Sequence, residues 1–218
     1  MSDPLSQVAI LGSSLALVLG LILLWRRRIP AYITALAAQS VVLAGVAAGV
    51  AYFGDEQELY WVAALLLVVK GIAIPRLLGR MERRFGTEQE LKPYVNTTTS
   101  LVLAGLLVLL GYVVMRPLVA VSQLPTRAGM PLAMGLVLVS LFVLISRKKA
   151  LTQVVAFLML ENGIALLALL GTYGIPLIVE LGVFLDALLG FIVMQIFVYR
   201  IHETFETMDI EQLRRLRH

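Results

Sequence analysis

The chain alternates between long apolar runs and short polar or charged connections. The apolar runs are about 20 residues long, enough for a helix to cross a bilayer core that is about 30 Å thick. This pattern predicts an all-α, polytopic membrane protein with about seven transmembrane helices. We place the predicted spans at residues 5–25, 30–53, 60–78, 96–115, 129–146, 151–173 and 176–200.

The positions of Lys and Arg predict how these helices are oriented. One side of the membrane receives Arg116 and Arg127. The basic residues of the other side lie in the segments 26–28, 76–92, 147–149 and 200–217. Because cytoplasmic loops carry the excess of Lys and Arg, we expect the N-terminus outside and the C-terminus in the cytoplasm. Asp3 stands where a cleavable signal peptide would be basic, so the first helix is expected to be retained.

In sequence, the chain divides into three regions. Residues 1–125 are predicted to form a four-helix membrane region, residues 126–201 a three-helix membrane region, and residues 202–218 a cytoplasmic tail. An outer segment with two prolines, Arg116–Gly129, joins the first two regions. The tail is interpreted as an amphipathic helix at the surface or against a partner, with a solvated helical tail as the alternative.

Composition excludes several classes of function. The chain is 60% hydrophobic and 15% charged, more apolar than one soluble core could bury. The net charge of +4 comes from short clusters between apolar runs, not from the basic, aromatic-rich face of a nucleic-acid-binding protein. There is no cysteine, and the two histidines, His202 and His218, follow the last predicted span. We therefore expect no metal, no cofactor and no catalysis from the isolated chain.

Four ionisable residues lie inside the predicted spans, where a charge costs roughly 2.5–3.5 kcal/mol on insertion scales. Glu161 and Asp186 lie near the midpoints of the sixth and seventh spans, too deep for a short carboxylate to reach water. Glu180 lies only four residues beyond Pro176, so it could instead face the outer interface. Lys70 lies six residues before Arg76, roughly 9 Å by helical rise, a distance that a lysine stem largely covers. The alternative is a buried lysine that pairs with a carboxylate and passes protons.

Two of these residues have the features of a proton relay. The helices of Glu161 and Asp186 are joined by a very short hairpin, so the two acids can lie at the same depth. Burial disfavours the charged form of a carboxyl group and a nearby lysine favours it, which lets coupled groups exchange protons. The alternative is that each acid bonds neighbouring helices structurally. For the polar residues Gln153, Asn162 and Gln195, structural bonding between helices is the default interpretation.

The last three spans resemble the small K-type subunit of respiratory complex I and the C-type subunit of Mrp cation/proton antiporters. That subunit has three helices, a basic loop after the first, and one central acid in each of the next two. Here the loop is Arg147–Lys149 and the acids are Glu161 and Asp186. The sequence departs from the K-type pattern by having aspartate as the second acid, and its outer hairpin is shorter.

The whole chain is similar to the component E membrane subunit of hydrogenase-4-type complexes, in which a K-like half follows additional helices. The similarity rests on residues 70–76 (KGIAIPR), 160–163 (LENG) and 175–186. It implies a subunit of a group 4 energy-converting complex in the inner cell membrane. The implied partners are antiporter-like and H-like membrane subunits and a cytoplasmic redox arm. The implied proton-transfer residues are Glu161 and Asp186, with Lys70 and Glu180 as weaker candidates.

Two other functions stay open at the level of sequence. The chain could be a subunit of an antiporter that exchanges Na⁺ or K⁺ for protons without a redox arm. It could also be a structural membrane scaffold without ion chemistry. A stand-alone transporter is disfavoured, because the sequence has neither paired broken helices nor a clear inverted repeat.

Overall fold

A computed structural model of the chain describes residues 4–26, 28–85 and 94–172, and the regular structure in these ranges is helical. A π-helical segment connects α3 and α4, and a 3₁₀ turn precedes α6. The elements in order are α1 (Pro4–Ile22), α2 (Ile29–Gly54), α3 (Glu58–Leu66), the π-helical segment (Leu67–Ala73), α4 (Ile74–Phe85), α5 (Thr97–Val121), the 3₁₀ turn (Pro125–Gly129), α6 (Met130–Ser146) and α7 (Ala150–Thr172).

Six stretches of the described residues are long and apolar enough to cross a membrane. They are Pro4–Ile22, Ile29–Gly54, Glu58–Arg83, Thr97–Val121, Pro125–Ser146 and Leu151–Thr172. This confirms the prediction of an all-α, multi-pass membrane protein. The predicted seventh span, Glu180, Asp186 and the tail lie outside the described residues. The seventh span, the orientation and the division into three regions stay predictions.

Two helices extend further than the sequence pattern predicted. The predicted third span ends at residue 78, whereas α4 continues to Phe85. The predicted fourth span ends at residue 115, whereas α5 continues through Arg116 and Pro117 to Val121. A proline removes one helical hydrogen bond, and membrane helices tolerate this loss because neighbouring groups take over the freed carbonyl. Arg116 therefore lies within α5 and not at the start of a connection.

The helices form a packed centre with two flanking elements. In the described residues α2 packs on α1 and α7, and α6 packs on α1 and α7. The α3–α4 helix lies against α2 on one flank, and α5 lies against α6 on the other. In the most apolar stretch of α7, 56% of the residues are buried, whereas in that of α5 only 17% are. The central helices therefore bury polar side chains between them, while α5 exposes most of its apolar surface.

The α5–α6 contact depends on two glycines. A Cβ atom added to Gly111 of α5 would lie 2.8 Å from the backbone nitrogen of Gly135 in α6. The two backbones therefore touch at this point, as they do where small residues line the contact between membrane helices.

Candidate functional site

Lys70 lies on the π-helical segment between α3 and α4. At the end of this segment the Ile74 N–H donates to the carbonyl of Val69, five residues earlier. Pro75 follows directly, and in an ordinary α-helix its ring would clash with the carbonyl of Gly71, four residues earlier. A wider turn relieves this clash, which gives a physical reason for the π-helical geometry. Lys70 is the buried residue of this segment, and π-helical turns occur often at functional sites.

The structure brings Lys70 together with Glu161 of α7. The Lys70 Nζ atom lies 3.7 Å from Oε2 of Glu161, and the two side chains are 4% and 9% exposed. The sequence allowed either a lysine that reaches the membrane interface or a buried lysine that pairs with a carboxylate. The structure places Lys70 in the second position, buried beside Glu161. The other two predicted relay residues, Glu180 and Asp186, lie outside the described residues.

The surroundings of Glu161 explain what this pair can do chemically. Among the described residues, no group donates a hydrogen bond to either carboxylate oxygen of Glu161. The separation from Lys70 is that of an ion pair, longer than a hydrogen bond. A buried pair of this kind is costly to desolvate, and the transfer of one proton removes both charges. The balance between the charged and the neutral form of the pair therefore shifts when a further proton or charge comes close.

Beside this pair, a buried hydrogen-bonded chain connects α7, α2 and α1. The Asn162 Nδ2 atom donates to Oε1 of Gln39 at 3.2 Å and to Oγ of Ser40 at 3.1 Å. The Gln39 Nε2 atom in turn donates to the carbonyl of Ala16 at 3.1 Å. Asn162 thus makes the interhelical bonds predicted for it. Gln39 and Ser40 are site residues that the sequence analysis missed, although they form a polar pair inside an apolar run.

A narrow crevice lies between Lys70 and this chain. Lys70 borders the same crevice as Ser40 and Asn162, and the crevice has no room for a water molecule. Its other lining residues are Leu36, Ile74 and Leu158. Lys70 and the hydrogen-bonded chain therefore border one narrow space between α2 and α7.

Gln153 does not make the bond to a neighbouring helix that was predicted for it. Its Nε2 atom donates to the carbonyl of Arg147, in the connection that precedes its own helix, at 2.9 Å. Gln153 stands in the first turn of α7, where the adjoining connection has free carbonyl groups to accept its amide. Gln195 lies outside the described residues.

Arg147 is the second buried cation of the described chain. It belongs to the predicted basic loop, and its side chain is buried, since the residue is 2% exposed. The Nη2 atom donates to the carbonyls of Leu23 and Leu24, at 2.7 and 3.3 Å, just beyond the end of α1. The guanidinium carbon lies 5.5 Å from the centroid of the Tyr32 ring. The sequence carries no local signal for this burial, because the partners come from the opposite half of the chain.

Metal binding finds no support in the described part of the chain. No group of three or more His, Cys, Asp and Glu side chains there is arranged to hold a metal ion. The chemistry that the described site offers is therefore that of one lysine, one carboxylate and neutral amides and hydroxyls.

Comparison with known proteins identifies relatives over most of the chain. The chain is 36% identical over 197 residues to the uncharacterized protein Rv0085 of Mycobacterium tuberculosis, with 90% of each chain covered. It is 28% identical over 182 residues to hydrogenase-4 component E of Escherichia coli K12. The aligned region covers 83% of this chain and 84% of the relative. Component E of Shigella flexneri gives the same values. No family model matches the chain. No solved structure matches it significantly.

Proposed function

The chain belongs to the family of the Mycobacterium tuberculosis protein Rv0085, and from this premise we propose that it is a membrane subunit of a complex related to hydrogenase-4 and complex I. The distant similarity to hydrogenase-4 component E, a named component of a larger enzyme, supports this assignment. Within such a complex the proposed role is proton transfer through Lys70 and Glu161. The resemblance of the C-terminal half to the K-type subunit adds Asp186 and Glu180 as proposed further members of the path.

The observation that carries the proton-transfer proposal is the buried contact of Lys70 with Glu161. Replacing a buried ion pair by apolar residues of similar size is often neutral or stabilising. Stability alone is therefore a weak reason for a membrane helix to keep such a pair. Ionisable residues at this depth are typical of ion and proton pathways, and lysine and glutamate both exchange protons.

In the proposed mechanism, Glu161 alternates between its charged and protonated forms. A proton that arrives at Glu161 abolishes its attraction for the Lys70 ammonium group. Lys70 then gives its proton to the next acceptor of the path. The hydrogen bonds from Asn162 hold α7 against α2 while the charges change. The chain itself contributes no cofactor to this scheme.

The proposed partners are antiporter-like and H-like membrane subunits and a cytoplasmic redox arm, assembled in the inner cell membrane. The identity of the subunits that co-purify with the chain tests this part. Soluble subunits that contain metal support the proposal. Their absence, together with Na⁺-dependent transport, would indicate the antiporter subunit instead.

The proton path is tested in the purified complex, reconstituted into liposomes with a pH indicator inside. We expect Glu161→Gln and Lys70→Gln to leave the complex assembled and to lower proton transfer per turnover at least tenfold. Glu58→Gln is the matched control, because this exposed acid at the start of α3 removes the same charge as Glu161→Gln. Full proton transfer in both assembled variants would overturn the assignment of Lys70 and Glu161. The same assay with Asp186→Asn tests the proposed continuation of the path.

A further inference from the structure

One end of the bundle collects basic residues from two distant parts of the sequence. Arg26 and Arg28 lie in the connection between α1 and α2, and Arg147–Lys149 form the connection between α6 and α7. Segments 23–29 and 146–150 contain no acidic residue. Neither connection therefore contains an acid that would neutralise its own charge.

The two connections are held side by side by Arg147 and Tyr32. Arg147 donates to the carbonyl groups of Leu23 and Leu24, in the connection that leads to Arg26. The Tyr32 hydroxyl donates to the carbonyls of Leu23, at 2.9 Å, and Arg26, at 3.3 Å. Arg147 itself is buried by these contacts, while Arg26, Arg28 and Lys148 have exposed side chains. The fold thus brings the two connections together, and they form one surface with several cationic side chains.

Aromatic and apolar side chains stand directly beside these charges. Trp25 precedes Arg26 and is half-exposed, and Ile145 is exposed two residues before Arg147. The Lys148 Nζ atom lies 4.5 Å from the centroid of the exposed Tyr94 ring. Trp and Tyr are enriched where lipid headgroups meet acyl chains. Exposed cations beside Trp25, Tyr94 and Ile145 are thus the combination of side chains that is typical of the headgroup level of a membrane.

We propose that Arg26, Arg28 and Lys148 bind the phosphate of an anionic phospholipid whose acyl chains lie against Trp25 and Ile145. Basic residues gathered at one end of a helical bundle attract anionic headgroups, and each additional cation strengthens this attraction. A free phosphate ion offers the same charge but leaves Trp25 and Ile145 without a partner. This proposal is independent of the proton path.

The arginines of α4 provide an internal contrast. Arg76, Arg80 and Arg83 are also exposed, but they follow one another along a single helix that includes Glu82. The Arg83 Nε atom donates to the carbonyl of Gly79 within the same helix. Removing two of these charges changes the net charge of the protein as much as removing Arg26 and Arg28. It leaves the proposed lipid site untouched.

The test measures lipid binding to the purified full chain in a neutral detergent, with bound lipids counted by native mass spectrometry. The probes are phosphatidylglycerol, phosphatidylcholine with the same acyl chains, and inorganic phosphate as competitor. We expect wild-type protein to prefer phosphatidylglycerol. We expect Arg26→Gln/Arg28→Gln to weaken its binding about fivefold for each charge removed. Arg80→Gln/Arg83→Gln should change the binding less than twofold.

Three results would overturn the proposal. One is equal binding of phosphatidylglycerol and phosphatidylcholine to the wild-type protein. Another is an equal loss of phosphatidylglycerol binding in the two double variants, which would indicate a general effect of net charge. The third is displacement of the lipid by millimolar inorganic phosphate, which would identify a site for the free ion. Thermal unfolding of each variant in detergent shows that the compared proteins are folded, and Lys148→Gln provides an independent variant of the same site.

Discussion

Two cations are buried in the described part of the chain, and they have different partners. Lys70 lies near the middle of a membrane-spanning helix and faces the carboxylate of Glu161 at 3.7 Å. Arg147 lies at the end of α6 and faces neutral groups, the carbonyls of Leu23 and Leu24 and the ring of Tyr32. Both residues are almost completely removed from solvent.

The difference between these partners separates a reactive pair from a structural one. A guanidinium group stays protonated in proteins, which makes arginine in general unsuited to proton exchange. It instead satisfies carbonyls that the end of α1 leaves without helical donors and complements the negative end of the helix dipole. Lysine and glutamate can both change protonation, and each affects the charge of the other. The burial of a charge alone therefore does not identify a functional residue, whereas the chemistry of its partner does.

The largest expected effect comes from removing one member of the Lys70–Glu161 pair. Glu161→Leu removes one charge of a buried ion pair and keeps the other, and we expect a loss of about 3–5 kcal/mol in the free energy of unfolding. The double variant Lys70→Met/Glu161→Leu should recover most of this loss and still lack proton transfer. Unfolding in mixed detergent micelles measures the first quantity, and the reconstituted complex measures the second.

A double variant that stays as unstable as Glu161→Leu would contradict this interpretation of the pair. A double variant that is stable and transfers protons normally would show that the pair is structural. The comparison of the two cations would then fail, because both would serve only to hold helices together.

A smaller effect is expected for Arg147. Arg147→Met removes two hydrogen bonds from a charged donor, and we expect the free energy of unfolding to fall by about 2–3 kcal/mol. Arg147→Lys should not restore it fully, because a lysine lacks the planar guanidinium group that lies 5.5 Å from the centroid of the Tyr32 ring. Proton transfer by the assembled complex should remain within twofold of the wild-type value, in contrast to the variants of Lys70.

Two control variants define what holds Arg147 in place. Tyr32→Phe keeps the ring beneath the guanidinium and removes only the hydroxyl, so we expect a loss of about 1 kcal/mol. Arg28→Gln removes an exposed charge nearby and should change stability by less than about 0.5 kcal/mol. Proton transfer that falls in Arg147→Met as far as in Lys70→Gln would show that the two sites are not separate.

The smallest expected effect concerns the amide chain beside the ion pair. We expect a double-mutant cycle of Asn162→Leu and Gln39→Leu to give a coupling energy of about 0.6 kcal/mol, the average for hydrogen bonds between membrane helices. Asn162→Leu should nevertheless slow proton transfer, because the contacts of α7 with α2 position Glu161. Gln153→Leu is the matched control on the same helix, since its bond lies in the connection to α6. An equal slowing in both variants would argue against this positioning role.

The sequence by itself determined the features that depend on local composition. Six of the predicted spans correspond to helices, because an apolar run of sufficient length has to form a helix to satisfy its backbone within a membrane. The depth of Glu161 also follows directly from counting residues along its helix. The end of α5 did not follow, because Arg116 and Pro117 look like a boundary in sequence, whereas the helix continues for several residues beyond them.

Only the tertiary structure decided which polar groups meet. Lys70 could have reached the membrane interface, but the packing of α3–α4 against α2 and of α2 against α7 places it beside Glu161. In sequence, Arg147 belongs to a basic cluster of the kind that sets membrane topology. In the structure it donates a hydrogen bond to the carbonyl of Leu23, which lies 124 positions away in the chain. A sequence pattern records how polar each position is and how deep it lies. The direction in which a helix presents that position to its neighbours depends on packing between distant segments, and this decides the partner of a buried charge.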